Sequence, residues 1–174
     1  MSYKNLTIGA HAPEVVRVVV EIPKGSHNKY EYDEQTDVIK LDRVLHSTVY
    51  YPADYGFIPQ TRSKDGDHLD VLVIISEPVF PGCVVNVRPV GVLYMMDQKE
   101  EDEKIIAVAE GDPLSAHIKD IDGVGDFFKK EIHNFFETYK KLEEKIVKVH
   151  HWHGKDIAYK IITEAKDRYM KEVQ

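Results

Sequence analysis

Val15-Val16-Arg17-Val18-Val19-Val20-Glu21-Ile22 is a β-branched run that stops at Pro23-Lys24-Gly25. Two heavy atoms on Cβ favour a pleated backbone, and Pro and Gly interrupt it, so the stretch predicts a strand. Working outward, Lys29 to Tyr32, Val38 to Leu45, Val71 to Ile75, Val84 to Leu93 and Lys104 to Ala109 carry the same signature. Tyr51-Pro52, Ile58-Pro59, Glu77-Pro78 and Phe80-Pro81-Gly82 mark loops or turns between them. Short strands at this spacing predict a barrel or a sandwich.

The period changes in the last third. Phe128, Ile132, Phe135, Phe136, Tyr139, Leu142 and Ile146 recur at three- and four-residue steps with Lys and Glu between them, which predicts an amphipathic helix. After a short strand-like Val147-Lys148-Val149, a second helix is signalled by Ile157, Ala158, Ile161, Ile162, Ala165 and Tyr169. No repeat, low-complexity segment or linker composition divides the chain. Strands first, with helices packed on them, predict one α+β domain over residues 1–174.

The chain has 174 residues, 43% of them hydrophobic, enough for a real core. The formal net charge of -7, from 30 acidic residues against 23 Lys plus Arg, argues against a surface that neutralises nucleic-acid phosphates. A small anion remains a possible ligand if basic side chains or metal ions meet it locally. The sequence has no apolar run long enough to span a bilayer and no signal-peptide pattern at Met1-Ser2-Tyr3-Lys4-Asn5, so a cytoplasmic location is expected. Cys83 is the single cysteine, which rules out an intramolecular disulfide. Its place at a strand start predicts a buried or inert thiol.

Asp65-Gly66-Asp67-His68-Leu69-Asp70 runs directly into the apolar Val71-Leu72-Val73-Ile74-Ile75. Three carboxylates so close repel one another unless cations sit among them, and Mg²⁺ prefers oxygen ligands. Read alone, the motif fits a solvated turn equally well. A calcium loop of the EF-hand kind fails, because the fifth, sixth and twelfth positions would be Leu69, Asp70 and Ser76. A second acidic stretch, Asp97 to Lys104, follows the apolar Val90 to Met96. Alone it reads as a hairpin tip, but beside the first cluster it can complete a site for several metals.

Lys29-Tyr30-Glu31, Asp42-Arg43, Tyr51 to Gly56 and Tyr139-Lys140 supply ammonium, guanidinium and phenol groups suited to phosphate oxygens. His150-His151-Trp152-His153 is an incomplete metal site, because strand alternation sends His151 and His153 to one face and His150 and Trp152 to the other. No Ser/His/Asp pattern, P-loop or paired-glycine fingerprint is present.

Taken in order, Glu21-Ile22-Pro23, Asn28 to Glu31, Leu41 to Val44, Tyr51 to Ile58, Asp65-Gly66-Asp67, Asp70 to Val73, Arg88 to Gly91, Asp97, Asp102 to Lys104 and Phe135 to Lys140 resemble the soluble family I inorganic pyrophosphatases of the short, prokaryotic type. The resemblance spans nearly the whole chain. It implies a five-stranded OB-type β-barrel with two main C-terminal helices packed outside it, and hydrolysis of pyrophosphate to two phosphates without a covalent intermediate. It further implies that Asp65, Asp70, Asp97 and Asp102 bind several Mg²⁺ ions, with Mn²⁺ as a substitute, and that Asp67 is the general base. Lys29, Arg43, Tyr55, Lys104, Tyr139 and Lys140 match substrate ligands, and Glu21, Glu31 and Tyr51 match supporting positions. Family members of this length are commonly homohexamers, so a homo-oligomer is expected, with no nucleic acid or membrane as partner.

Two departures stand out. His68 occupies a position where the family's acidic signature usually has proline, which frees an N–H and relaxes a fixed φ. Lys141 to Val147 is shorter than the family's usual connection. Two rivals share the fold: a single-stranded nucleic-acid binder stacking bases on Tyr30, Tyr50, Tyr51 and Tyr55, and a metal-binding structural protein. The acidic charge and the intact set of polar positions disfavour both.

Overall fold

The computed structural model describes residues 2–173. Strands β1 (Val16–Ile22), β2 (Asn28–Asp33), β3 (Val38–Val44), β4 (Asp54–Ile58), β5 (Leu69–Ile74), β6 (Val84–Asp97) and β7 (Glu100–Ala109) come first; helix α1 (Asp126–Thr138), strand β8 (Val147–Gly154) and helix α2 (Lys155–Glu172) follow. The main sheet runs β1-β4-β5-β7-β6-β8, and a further β1–β6 pairing closes the first five of these strands into a ring. This is the OB-type barrel with two C-terminal helices expected above. Closure pairs the barrel edges that would otherwise expose unbonded backbone.

Alternation along the strands sorts the core into two clusters on opposite faces of the sheet. Val16, Val18 and Val20 of β1, Val71 and Val73 of β5, and Ile105 and Ala107 of β7 share one cluster with Ala158, Ile161, Ile162 and Ala165 of α2. Leu72 of β5 and Ile106 and Val108 of β7 share the other with Ile132, Phe135 and Phe136 of α1. Burying each of those three α1 side chains contributes roughly 1.5–3 kcal/mol. Barrel strands β1 and β4 approach so closely at Gly56 that a Cβ there would lie 2.0 Å from the Val19 carbonyl oxygen, so only glycine fits.

Several boundaries differ from expectation. Strand β4 carried no periodic signal, being five residues between two proline turns. Strand β6 runs on to Asp97 and β7 starts at Glu100, joined by Gln98 and Lys99, both at positive φ (51° and 91°), as a tight two-residue hairpin requires. Asp97 and Asp102 therefore sit on strands, not in a loop. Helix α1 ends at Thr138, with Tyr139 as its C-cap, rather than continuing to Ile146. A single 3-10 turn over Lys141–Glu143 follows and closes at Glu144 in the left-handed region, leaving Leu142 and Ile146 exposed. Strand β8 is eight residues long, and a bulge at its His150 resets the alternation, since Tyr94 pairs with His151 while Met95 pairs with Val149. Val147, Val149 and Trp152 then pack on the α1 cluster, so His150 does not share Trp152's buried face. Cys83 is half-buried just before β6, and burial pushes its thiol up, in keeping with an inert role.

The β2–β3 hairpin forms a separate two-stranded sheet that shares no strand pairing with the barrel. It stands over one end of the barrel and makes a wall of the cleft described next.

Candidate active site

A cleft of about 660 Å³ opens between the hairpin, the loop before β5, the far ends of β5 to β7, and the C-terminus of α1. Its wall includes Lys29 and Glu31 of β2, Tyr55 of β4, Asp70 of β5, Asp97 of β6, and Asp102 and Lys104 of β7. Asp65 and Asp67 reach it from the loop, Glu21 from β1, and Tyr139 and Lys140 from the end of α1. Residues scattered over 120 positions of sequence thus face one space. Arg43 and Tyr51 are the two anticipated site residues outside the wall. Tyr51 is buried behind it, its ring 5.6 Å from that of Tyr55 and 4.7 Å from that of Phe135, so neither Tyr51 nor Tyr55 is a free platform for stacking bases. Arg43 is held by Asp42 and, through Nε, by Glu143 Oε1 at 3.0 Å.

Local sequence explains the placement. Asp102 and Lys104 are two apart on β7 and so share a face. The Lys104 ammonium lies 2.5 Å from Asp70 Oδ2 and 2.7 Å from Asp102 Oδ2. Lys140 pairs with Asp97, and Lys29 with Glu31 and Asp42. The acidic loop turns at Gly66, whose φ of +93° favours glycine, and the Asp65 carboxylate accepts the Asp67 N–H at 3.0 Å. Ser63 N–H donates to the Asp67 carbonyl at 2.7 Å, leaving the Asp67 carboxylate exposed at the cleft mouth.

Partial desolvation, then the neighbouring Asp65 and Asp70 charges, push the Asp67 carboxyl above its usual range. Burial also raises Asp102; Lys104 pulls it down and Asp70 pushes it back up. Burial alone would lower Lys104, but the Asp70 and Asp102 charges outweigh it and hold the ammonium well above its ordinary value. Burial followed by the Asp70 charge pushes Glu21 up to about 8, against the Tyr32 N–H it accepts at 2.7 Å. Burial drives Tyr55 and Tyr139 upward as well, so both phenols stay protonated and able to donate.

Among the described residues, two buried side-chain polar atoms lack a hydrogen-bond partner: Arg43 Nη2 and Asp97 Oδ1. Such atoms are costly and point to a ligand. An oxygen-only donor set with a spare buried carboxylate oxygen fits a hard divalent cation. The carboxylates are not converged into a finished cage, because no cluster of three His, Cys, Asp or Glu side chains at metal-holding spacing occurs among the described residues. Lysines separate them instead.

Sequence reasoning missed several contributors. Asp42 and Glu143 fix Arg43, and Lys64 joins the acidic loop to β7 through Glu101 at 2.8 Å and Glu103 at 3.1 Å. Tyr32, Glu34, Arg62 and His68 also line the cleft. Of these only His68 left a sign in the sequence, as a departure from a pattern. His150, His151 and His153 are exposed on β8 and take no part in the wall.

A barrel of this topology with a cleft lined by both aspartates and lysines defines an OB-fold protein whose cleft carries carboxylates and ammonium groups side by side. Comparison with known proteins agrees: the sequence pattern described as inorganic pyrophosphatase matches residues 18–170. The chain is 52% identical to the inorganic pyrophosphatase of Methanosarcina mazei over 159 residues, covering 91% of this chain and 94% of that one. It is 50% identical to that of Thermus thermophilus over 169 residues, 95% of this chain and 97% of that one. The crystal structure of the Thermus thermophilus inorganic pyrophosphatase superposes with a TM-score of 0.95 at 48% identity, covering 98% of this chain and 99% of the other. The chain belongs to the inorganic pyrophosphatase family.

Proposed function

We propose that this chain hydrolyses inorganic pyrophosphate to two phosphates by direct attack of a Mg²⁺-activated water, with Asp67 as general base and no covalent intermediate. The observation that carries this reading is the mixed wall of the cleft, where Asp65, Asp67, Asp70, Asp97 and Asp102 share one space with Lys29, Lys104 and Lys140. A polyanion bridged to carboxylates by cations needs both kinds of group.

Asp65, Asp70, Asp97 and Asp102 would hold the metal ions; the unpartnered Asp97 Oδ1 and the all-oxygen donors support Mg²⁺, several ions per site, with Mn²⁺ as a substitute. Bound there, Mg²⁺ supplies charge neutralisation and makes water acidic enough to attack near neutral pH. Asp67 accepts the proton. Its raised pKa makes it a stronger base than an ordinary aspartate, and its exposed position leaves it open to water. Lys29, Arg43 and Lys140 grip phosphoryl oxygens as cations, and Tyr55 and Tyr139 donate from protonated phenols. Lys104 orients Asp70 and Asp102 besides meeting substrate. Glu31 orients Lys29, Glu21 fixes the Tyr32 backbone, and Tyr51 backs the Tyr55 ring. Positioning and electrostatics of this kind supply nearly all the catalysis of phosphoryl transfer.

The whole chain acts as one catalytic domain in this reading, in the cytoplasm and as a homo-oligomer, most simply a hexamer. Phe80, Leu114, Phe127, Leu142 and Ile146, all strongly exposed, are apolar surface for other copies to cover. No described helix is long and apolar enough to cross a membrane. Phosphate release from pyrophosphate by the purified chain tests the reading: turnover with Mg²⁺ that EDTA stops supports it, and tight pyrophosphate binding without turnover defeats it.

A further inference from the structure

The β2–β3 hairpin carries Lys29 and Arg43 but shares no strand pairing with the barrel. The acidic loop, in contrast, leads directly into barrel strand β5. One tie between hairpin and barrel is the Glu21 carboxylate, which accepts the Tyr32 N–H at 2.7 Å; a second, reaching towards the acidic loop, lies at Glu34 in the hairpin turn. Glu34 Oε1 lies 2.5 Å from His68 Nε2 and 2.8 Å from Arg62 Nη1, and its Oε2 lies 3.2 Å from Arg62 Nη2.

The other ring nitrogen of His68, Nδ1, lies 3.0 Å from the carbonyl oxygen of fully buried Thr61. Thr61 in turn donates its hydroxyl to the Ile58 carbonyl at 2.6 Å and accepts the Leu69 N–H at 3.0 Å. With Nε2–H donating to Glu34, Nδ1 is the acceptor and takes the Arg62 Nη1–H at 3.2 Å, so the imidazole joins the hairpin to the segment that leads into the acidic loop. Its plane is fixed as well: it stacks on Phe57 of β4 with centroids 4.7 Å apart and 12° between planes, and on Tyr32 of β2 at 6.3 Å and 24°. One ring from the hairpin, one from the barrel and one from the acidic loop form a single block.

We propose that His68 is a positioning residue that locks the hairpin to the acidic loop through Glu34 and so sets the spacing between the phosphate-gripping cations and the aspartates. This deepens the pyrophosphatase reading and rests on it. Loss of this lock loosens the hairpin, which keeps Arg62 at Glu34 and Glu21 at the Tyr32 N–H, while Asp67 and the barrel aspartates stay in place, so substrate binding suffers and the chemical step does not.

The test is a double-mutant cycle of His68→Phe, which keeps a stacking ring and loses the polar contacts to Glu34, Thr61 and Arg62, and Glu34→Gln at a half-exposed side chain that tolerates change without unfolding. With Mg²⁺ saturating, each single variant should raise KM for pyrophosphate roughly 3- to 5-fold, the reach of a partly exposed ion pair, with kcat and the melting temperature nearly unchanged. The double variant should match Glu34→Gln, since the Glu34 contact that His68→Phe removes is one of the two, to His68 and Arg62, that Glu34→Gln already weakens. An unchanged KM in either single variant, a multiplied effect in the double, or a fall in kcat with KM held overturns the proposal. A wild-type chain that binds pyrophosphate but does not turn it over overturns the underlying reading, and the lock with it.

Discussion

The ammonium of Lys104 on β7 lies 2.5 Å from the Asp70 carboxylate on β5, across the parallel pairing of these two strands. The same nitrogen reaches Asp102 at 2.7 Å, so one internal cation compensates two carboxylates of the cleft. Lys104→Met removes that compensation. Breaking such a pair is costly, and with the aspartates partly solvated we expect a loss of about 2 kcal/mol in metal-free protein. Mg²⁺ can take over the lost charge, so added Mg²⁺ should raise the melting temperature more in the variant than in the unaltered chain. Equal stabilisation of both by Mg²⁺ contradicts the pairing.

Glu21 supplies a pH dependence. Its carboxyl is pushed up to about 8 by burial first and by the Asp70 charge second. Between the ordinary glutamate value and that raised one, the folded state holds a proton the unfolded state has lost. Stability of the metal-free protein therefore falls as pH rises through this window. Glu21→Gln keeps an acceptor for the Tyr32 N–H and lacks the titration. In EDTA the variant should be more stable than the unaltered chain at about pH 9, by on the order of 1–3 kcal/mol, with the gap shrinking towards about pH 5. Chemical denaturation at the two pH values measures this, and a gap that does not vary with pH contradicts it.

Arg43 presents a buried, unpartnered Nη2 while Glu143 holds its Nε. Lysine cannot reproduce that fork. Arg43→Lys should raise KM for pyrophosphate roughly 10-fold or more, the worth of one charge-assisted hydrogen bond. Glu143→Gln keeps the fork and loosens its aim, and should cost about 3-fold. Steady-state kinetics at saturating Mg²⁺ checks both, and an unchanged KM in Arg43→Lys removes Arg43 from substrate binding.

Much of this was legible in the sequence because the signals were local. The valine-rich strand of residues 16–22 and the α1 stripe of Ile132, Phe135 and Phe136 follow the periods that burial imposes. Strand β4 was not legible, since its pairing with β1 and β5 is decided by distant partners and by the close approach at Gly56. The α1 stripe ran on to Ile146 in the sequence because lysine, leucine and glutamate keep helical spacing in a 3-10 turn too. The site divides in the same way. Its aspartates stood out through their spacing and the family resemblance, whereas Glu143 and Glu34 reach Arg43 and Arg62, 100 and 28 positions away.

Pyrophosphate turnover by Asp67→Asn, set beside that of the unaltered chain at saturating Mg²⁺, tests most directly whether water is activated in this cleft. Asparagine keeps the shape and the loop hydrogen bonds but cannot take a proton. The unaltered chain should release phosphate, and the variant's kcat should fall roughly 10²- to 10⁴-fold while calorimetry still detects Mg²⁺ and pyrophosphate binding. A variant with the kcat of the unaltered chain would contradict the assignment of Asp67 as the base.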